Sequence, residues 1–194
     1  MKKKALIPKI CVILGICLVG IALAALAYWQ WNIRHSQTQA GAYVETLREL
    51  IPTPQNAVPE ERRENTMSTL SVDGVDFIGI LELPRYGSAL PVRGDWGSIT
   101  KSPCRFSGSI YDGTLQIGAT TQKGQYDFYR ALSVGDSVVF IDVEGNRYTF
   151  QVAAMRYENH IDQATLQKEA GALTLFVKDI YSFEYLVIFC ENKT

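Results

Sequence analysis

Histidine is almost absent from this chain: His35 and His160 are the only two in 194 residues. No CxxC pair and no histidine cluster occurs, so the ligand sets of ordinary Zn and transition-metal sites are missing, and we expect neither metal nor cofactor. Cysteine is scarce as well. Of the four, Cys11 and Cys17 fall inside an apolar N-terminal run, which leaves Cys104 and Cys190 for the rest of the chain. Those two could pair in an oxidising compartment, a question the sequence leaves open. Acidic residues are missing from positions 1–34, where Lys2, Lys3, Lys4, Lys9 and Arg34 stand unopposed. Set against a formal net charge of -1, these five leave residues 35–194 at -6. No basic stripe interrupts that acidic portion, which excludes nucleic acid as a natural partner.

What the N-terminus does have is a long apolar run, ICVILGICLVGIALAALAYW, from Ile10 to Trp29. As a helix it would reach roughly 30 Å, the thickness of a bilayer's hydrocarbon core. The lysines precede it, so the positive-inside rule keeps the N-terminus in the cytoplasm and sends the remainder outside. We read residues 1–9 as a cytoplasmic basic segment and 10–31 as a single-pass signal anchor in the cell membrane, with Trp29 and Trp31 at the outer interface. Ala25-Leu26-Ala27 offers the alternative of a cleaved signal peptide, since it is a small-x-small site. Both readings export the globular part.

Residues 32–69 read as a juxtamembrane helix, AGAYVETLRELI, followed by a linker broken by Pro52, Pro54 and Pro59. A domain then starts near Leu70 and runs to residue 194. Short strands separated by turns fill it: 77–83, 89–93, 115–119, a hairpin of 137–142 with 147–155 around VEGN, and finally LTLFV and YLVIFC. Helix or loop is expected over 125–132 and 161–170, the composition of the second favouring helix. Many short strands with few helices point to an all-β barrel or sandwich, and a closed barrel removes exposed edges.

A series of motifs in fixed order runs through this domain: VDGVDFIGILELPRYGSALPV (72–92), SPCRFSGS (102–109), LQIGATT (115–121), LSVGDSVVFIDVEGNRYTFQV (132–152) and LTLFVK (173–178). Together they resemble the sortases of Gram-positive bacteria, most closely class B and clostridial-type members, over residues 70–194. The resemblance implies an eight-stranded β-barrel with short helices behind an N-terminal transmembrane helix. It also implies cysteine transpeptidase chemistry on the cell wall, in which a thiolate takes the acyl part of a sorting signal and passes it to an amine.

That chemistry needs a thiolate, an imidazole acid and a guanidinium that steadies the oxyanion. The resemblance puts the histidine after the LQIGATT strand, where Thr120 and Thr121 stand. It puts the cysteine at the end of LTLFVK, where the chain has Lys178, and the arginine at the head of YLVIFC, where it has Tyr185. No replacement does the same work: an ammonium has no lone pair, a threonine hydroxyl is no acid at neutral pH, and a tyrosine offers one neutral donor in place of a charged fork. No catalytic residue is therefore expected, and Thr120, Thr121, Lys178 and Tyr185 become a candidate groove. Cys190, Cys104 and His160 are the alternative catalytic set.

The reading is a membrane-anchored extracellular sortase-fold protein, catalytically inactive, that assists or binds a sorting-signal-like peptide, a surface protein or an active sortase. The alternative is an active cysteine transpeptidase anchoring surface proteins through a rewired site. Lys178 admits three roles: a snorkelling strand end, a partner for a peptide carboxylate, or a new nucleophile.

Overall fold

The computed structural model describes residues 6–57, 66–99, 101–121, 132–161, 172–179, 182 and 184–193. Both stretches expected as helix or loop, 125–132 and 161–170, fall almost wholly outside these residues. The chain divides into two compact units, Met1–Ser36 and Gln37–Thr194.

The first unit is helical. Helix α1 runs from Leu6 to Leu50, and its Val12–Trp31 stretch, of mean hydropathy 2.4, is long and apolar enough to cross a membrane or to serve as a signal sequence. The sequence suggested a separate juxtamembrane helix; instead α1 is continuous. Residues 32–40 hold neither proline nor glycine, so nothing ends the backbone ladder until Pro52, which has no N–H to continue it. The last turn closes with Ile51 N donating to Leu47 O at 2.8 Å.

Among the described residues of the second unit ten strands follow: β1 (Gln55–Asn56), β2 (Leu70–Val72), β3 (Val75–Leu83), β4 (Ser88–Arg93), β5 (Cys104–Ser107), β6 (Leu115–Thr120), β7 (Ser137–Asp142), β8 (Asn146–Glu158), β9 (Leu173–Lys178) and β10 (Tyr185–Asn192). Eight of them close a ring in the order β3-β4-β5-β6-β9-β10-β8-β7, with β7 returning to β3. Neighbours are antiparallel except β4 with β5 and β6 with β9. Strands β1 and β2 pair with β8 and β3 outside the ring. The expected β7–β8 hairpin forms, and its turn is held by the buried Asp142, whose carboxylate accepts from the backbone N–H groups of Glu144 at 2.9 Å and Asn146 at 2.8 Å.

Strand alternation sorts the side chains. Leu115, Ile117 and Ala119 of β6, Leu173, Leu175 and Val177 of β9, and Leu186, Ile188 and Cys190 of β10 all join one interior cluster with Phe140 and Phe150. An eight-stranded barrel is just wide enough for its own side chains to fill, so this interior is a packed core.

Two outer layers cover the wall. One belongs to the end of α1: Leu47 and Ile51, with Tyr43 beside them, pack on Phe77, Ile80, Val139 and Ile141. Arg48 adds an ion pair to Glu82 at 3.1 Å. The unit therefore begins well before Leu70, where the sequence placed the domain's start. The linker is likewise tied down at both described ends. Gln55 and Asn56 pair with β8, and Met67 is buried in the core. Prolines at 52, 54 and 59 signal an irregular path, and an irregular path can still be a docked one.

Candidate functional site

The second outer layer lies over β6, β9 and β10, on the faces opposite the core. Register lines these faces up in three rows. Thr120, Lys178 and Tyr185 are successive cross-strand partners at one end. Gly118, Phe176 and Val187 form the middle row, and Gln116, Thr174 and Phe189 the far one. Rows two residues apart are separated by about 6.7 Å along the strands.

The sequence thus placed three separated motifs at one spot, and the backbone brings them together. Thr120 is buried, whereas Lys178 and Tyr185 are half-buried. Lys178 Nζ stands 5.7 Å from the Tyr185 ring centroid, within cation–π range. Thr121 donates its N–H to the Lys178 carbonyl at 3.1 Å, which extends the β6–β9 pairing one step past the row. On the strand beyond Tyr185 stands Glu158 of β8. Among the described residues no thiol, imidazole or guanidinium belongs to this row.

The middle row is aromatic, and its key residue is a glycine. A Cβ on Gly118 would lie 2.6 Å from Phe176 Cε2 and 2.6 Å from Trp96 Cη2 and Cζ3. The missing side chain is the space into which the Trp96 indole fits. Trp96 opens a short 3₁₀ turn, Trp96–Ser98, and packs edge-on to Phe106 at 4.8 Å and tilted to Phe176 at 5.6 Å. Phe106 and Phe176 meet edge-to-face at 5.2 Å. Phe176 is 1% exposed and Trp96 40%. On the β8 side, Arg156 stacks on Phe189 at 5.0 Å and pairs with Glu158 at 2.7 Å. Sequence reasoning missed Trp96, Phe106 and Arg156. The first two lie in turn-rich stretches without period, and only register reveals the third.

The far row sets two closed-off polar side chains beside Phe189. Gln116 and Thr174 are wholly buried. Gln116 Oε1 accepts from Ser107 Oγ at 2.6 Å, while Gln116 Nε2 and Thr174 Oγ1 have no hydrogen-bond partner among the described residues.

The alternative catalytic set does not converge. Cys190 points into the barrel, wholly buried among core residues, and burial pushes its thiol up to about 12, so the nucleophilic thiolate is suppressed. It pairs with Leu173 and Val152, five residues along β10 from Tyr185 and hence about 17 Å from that row. Cys104 is buried at the start of β5, its thiol donating to Ser102 O at 3.3 Å. No disulfide joins Cys104 to Cys190. His160 is exposed, two residues past the end of β8, at the Tyr185 end of that strand and remote from Cys190.

No protein-family model matches the chain, and no curated protein sequence matches it. Solved structures do. Sortase C-3 from Streptococcus pneumoniae aligns with a TM-score of 0.53 at 18% identity, over 84% of this chain and 83% of its own. Sortase C1 from Streptococcus agalactiae aligns at 0.50 and 17% identity, over 66% of this chain and 73% of its own. Sortase C1 from Streptococcus suis gives 0.50 and 14%, over 61% and 73%. The ring of eight strands is the sortase fold, preceded here by an apolar helix. These neighbours bear class C names, whereas the motif series resembles class B; at these identities the likeness carries the fold alone.

Proposed function

We propose that the chain is a membrane-anchored, extracellular sortase-fold protein of a Gram-positive cell surface that lacks transpeptidase chemistry and works by binding. The observation that carries this reading is the row Thr120–Lys178–Tyr185. It stands where the motif comparison puts the catalytic histidine, cysteine and arginine, and it supplies a hydroxyl, an ammonium and a phenol. Acyl transfer through a thioester requires a sulfur within bonding reach of the substrate carbonyl. Cys190 sits inside the barrel and Cys104 is buried at β5, which weighs against a rewired active enzyme.

The partner in this reading is a sorting-signal-like peptide, a surface protein or an intact sortase, received on the outer face of β6, β9 and β10. The basic residues ahead of α1 orient the barrel outward. The test is a transpeptidation assay: the purified full chain is incubated with fluorescent sorting-signal peptides and an amine acceptor, alongside Cys190→Ala and Cys104→Ala variants. No turnover is expected from any of them. Turnover that either alanine variant abolishes would establish an active enzyme instead.

A further inference from the structure

Building on that binding reading, we infer that the three rows form a selective peptide site whose ligand carries an acidic group, a large apolar side chain and an amide-type polar group. These sit at alternate positions of an extended strand, and Trp96 is the resident plug of the middle position. Three separate features of the outer face lead there.

The first is an unopposed cation. Among the described residues no acid forms an ion pair with Lys178, and its ammonium lies over the Tyr185 ring. On a half-buried residue, an ammonium over an aromatic face attracts a carboxylate more strongly than a fully hydrated one. The second is the plug. Trp96 fills the space over Gly118, yet 40% of it stays in solvent, and its turn contains Gly97 and follows Gly94 closely. A ring seated in a slot shaped by a glycine and two phenylalanines shows what that slot accepts: one flat or branched apolar side chain. The third is the far row. Gln116 and Thr174 are cross-strand neighbours and wholly buried, and Gln116 Nε2 and Thr174 Oγ1 have no partner among the described residues. Leaving such groups unmatched costs about 1–3 kcal/mol each, so the row favours any occupant that brings an acceptor. They lie one row along the strands from the Gly118 slot that Trp96 fills.

Because the rows repeat every second residue, an extended peptide meets them with residues i, i+2 and i+4 on one face. The amide end lies over Gln116 and Thr174, the apolar residue replaces the indole, and the acid reaches Lys178.

The probe is N-acetyl-Asn-Ala-Phe-Ala-Asp-amide with its reversed-sequence counterpart, titrated against the full chain in lipid nanodiscs. Carrying Trp29→Phe and Trp31→Phe, the protein keeps Trp96 as its single tryptophan. Saturable binding with a red shift of Trp96 emission is expected for one of the two peptides. Replacing the peptide's Asp by Asn, a change that leaves the protein untouched, weakens binding about tenfold or more, and Lys178→Met does the same. Trp96→Ala, followed by polarisation of a labelled peptide, binds tighter because no plug has to leave. Absence of saturable binding, equal affinity for the Asp and Asn peptides, or weaker binding by Trp96→Ala overturns the inference. Mass spectrometry of the recovered peptide keeps the two readings apart: intact peptide leaves the non-catalytic reading standing whatever the binding result, and cleaved peptide removes it.

Discussion

Gly118 gives the outer face its sharpest quantitative test. Substituting alanine puts a methyl 2.6 Å from atoms of both Phe176 and Trp96, and overpacking of this kind costs about 1–3 kcal/mol. Which end of that range applies depends on which ring yields. Phe176 is 1% exposed and pinned by Phe106 and Tyr185, whereas Trp96 is 40% exposed on a turn that contains Gly97. The indole therefore moves, and the cost falls near the lower end, about 1 kcal/mol. For a domain of this size that lowers the melting temperature by about 2–4 °C. The assay is thermal and urea unfolding of Gly118→Ala, of Trp96→Ala and of the double variant. Trp96 emission is recorded in the Trp29→Phe/Trp31→Phe background. Emission should shift to the red in Gly118→Ala, and the two substitutions should couple by roughly 0.5–1 kcal/mol because each addresses the same contact. Strict additivity together with unchanged emission would mean that the indole does not occupy the space over Gly118.

Other expectations follow from single contacts. Gly108 adopts φ +73° and a Cβ there would collide with the backbone carbonyl of Thr114; Gly108→Ala combines left-handed strain with an unyielding clash, so it should destabilise more than Gly118→Ala, by about 2–4 kcal/mol in urea. Asp136 is pushed upward by burial, but the hydrogen bonds from Arg85, the Ser133 N–H and Tyr86 outweigh this and hold its carboxyl below the usual range. A depressed folded-state value contributes stability above the unfolded carboxylate range, near pH 4, and loses it as pH falls further, so Asp136→Asn should flatten the acid limb of a stability-versus-pH curve. Leu47 is wholly buried against the barrel wall; Leu47→Ala should cost about 2–4 kcal/mol and loosen the end of α1, seen as faster amide exchange over residues 43–51. Cys190, with its thiol pushed up to about 12, should resist iodoacetamide at pH 8 in the folded chain and react once urea unfolds it.

Much of the barrel was legible because half-buried strands announce themselves by alternation. FIGILEL, SVVFID, LTLFV and YLVIFC each became a strand within a residue or two of the expected bounds. Strand β5 was not legible: Cys104–Ser107 is four residues long with a register shift, too short to show a period. Ring closure was out of reach for a different reason. The pairs β3–β7 and β6–β9 join segments far apart in sequence, and local pattern holds no record of such partners. The helix and linker misled in opposite directions. The mostly polar stretch 32–39 concealed a continuous helix, and a proline-rich stretch concealed backbone hydrogen bonds from Gln55 and Ala57 to Gly145 and Arg147. At the candidate site, motif order singled out Thr120, Lys178 and Tyr185, but only register made them neighbours. Trp96, in the patternless GDWGS, acquired meaning only through the glycine beneath it.

The central claim is that no residue of this barrel forms an acyl-enzyme. Intact-mass spectrometry of the full chain after incubation with sorting-signal peptides addresses it without relying on turnover. The account predicts an unchanged protein mass for the native chain and for Cys104→Ala and Cys190→Ala alike. An adduct equal to the peptide's acyl fragment, released by hydroxylamine and lost when one cysteine is replaced, would contradict it.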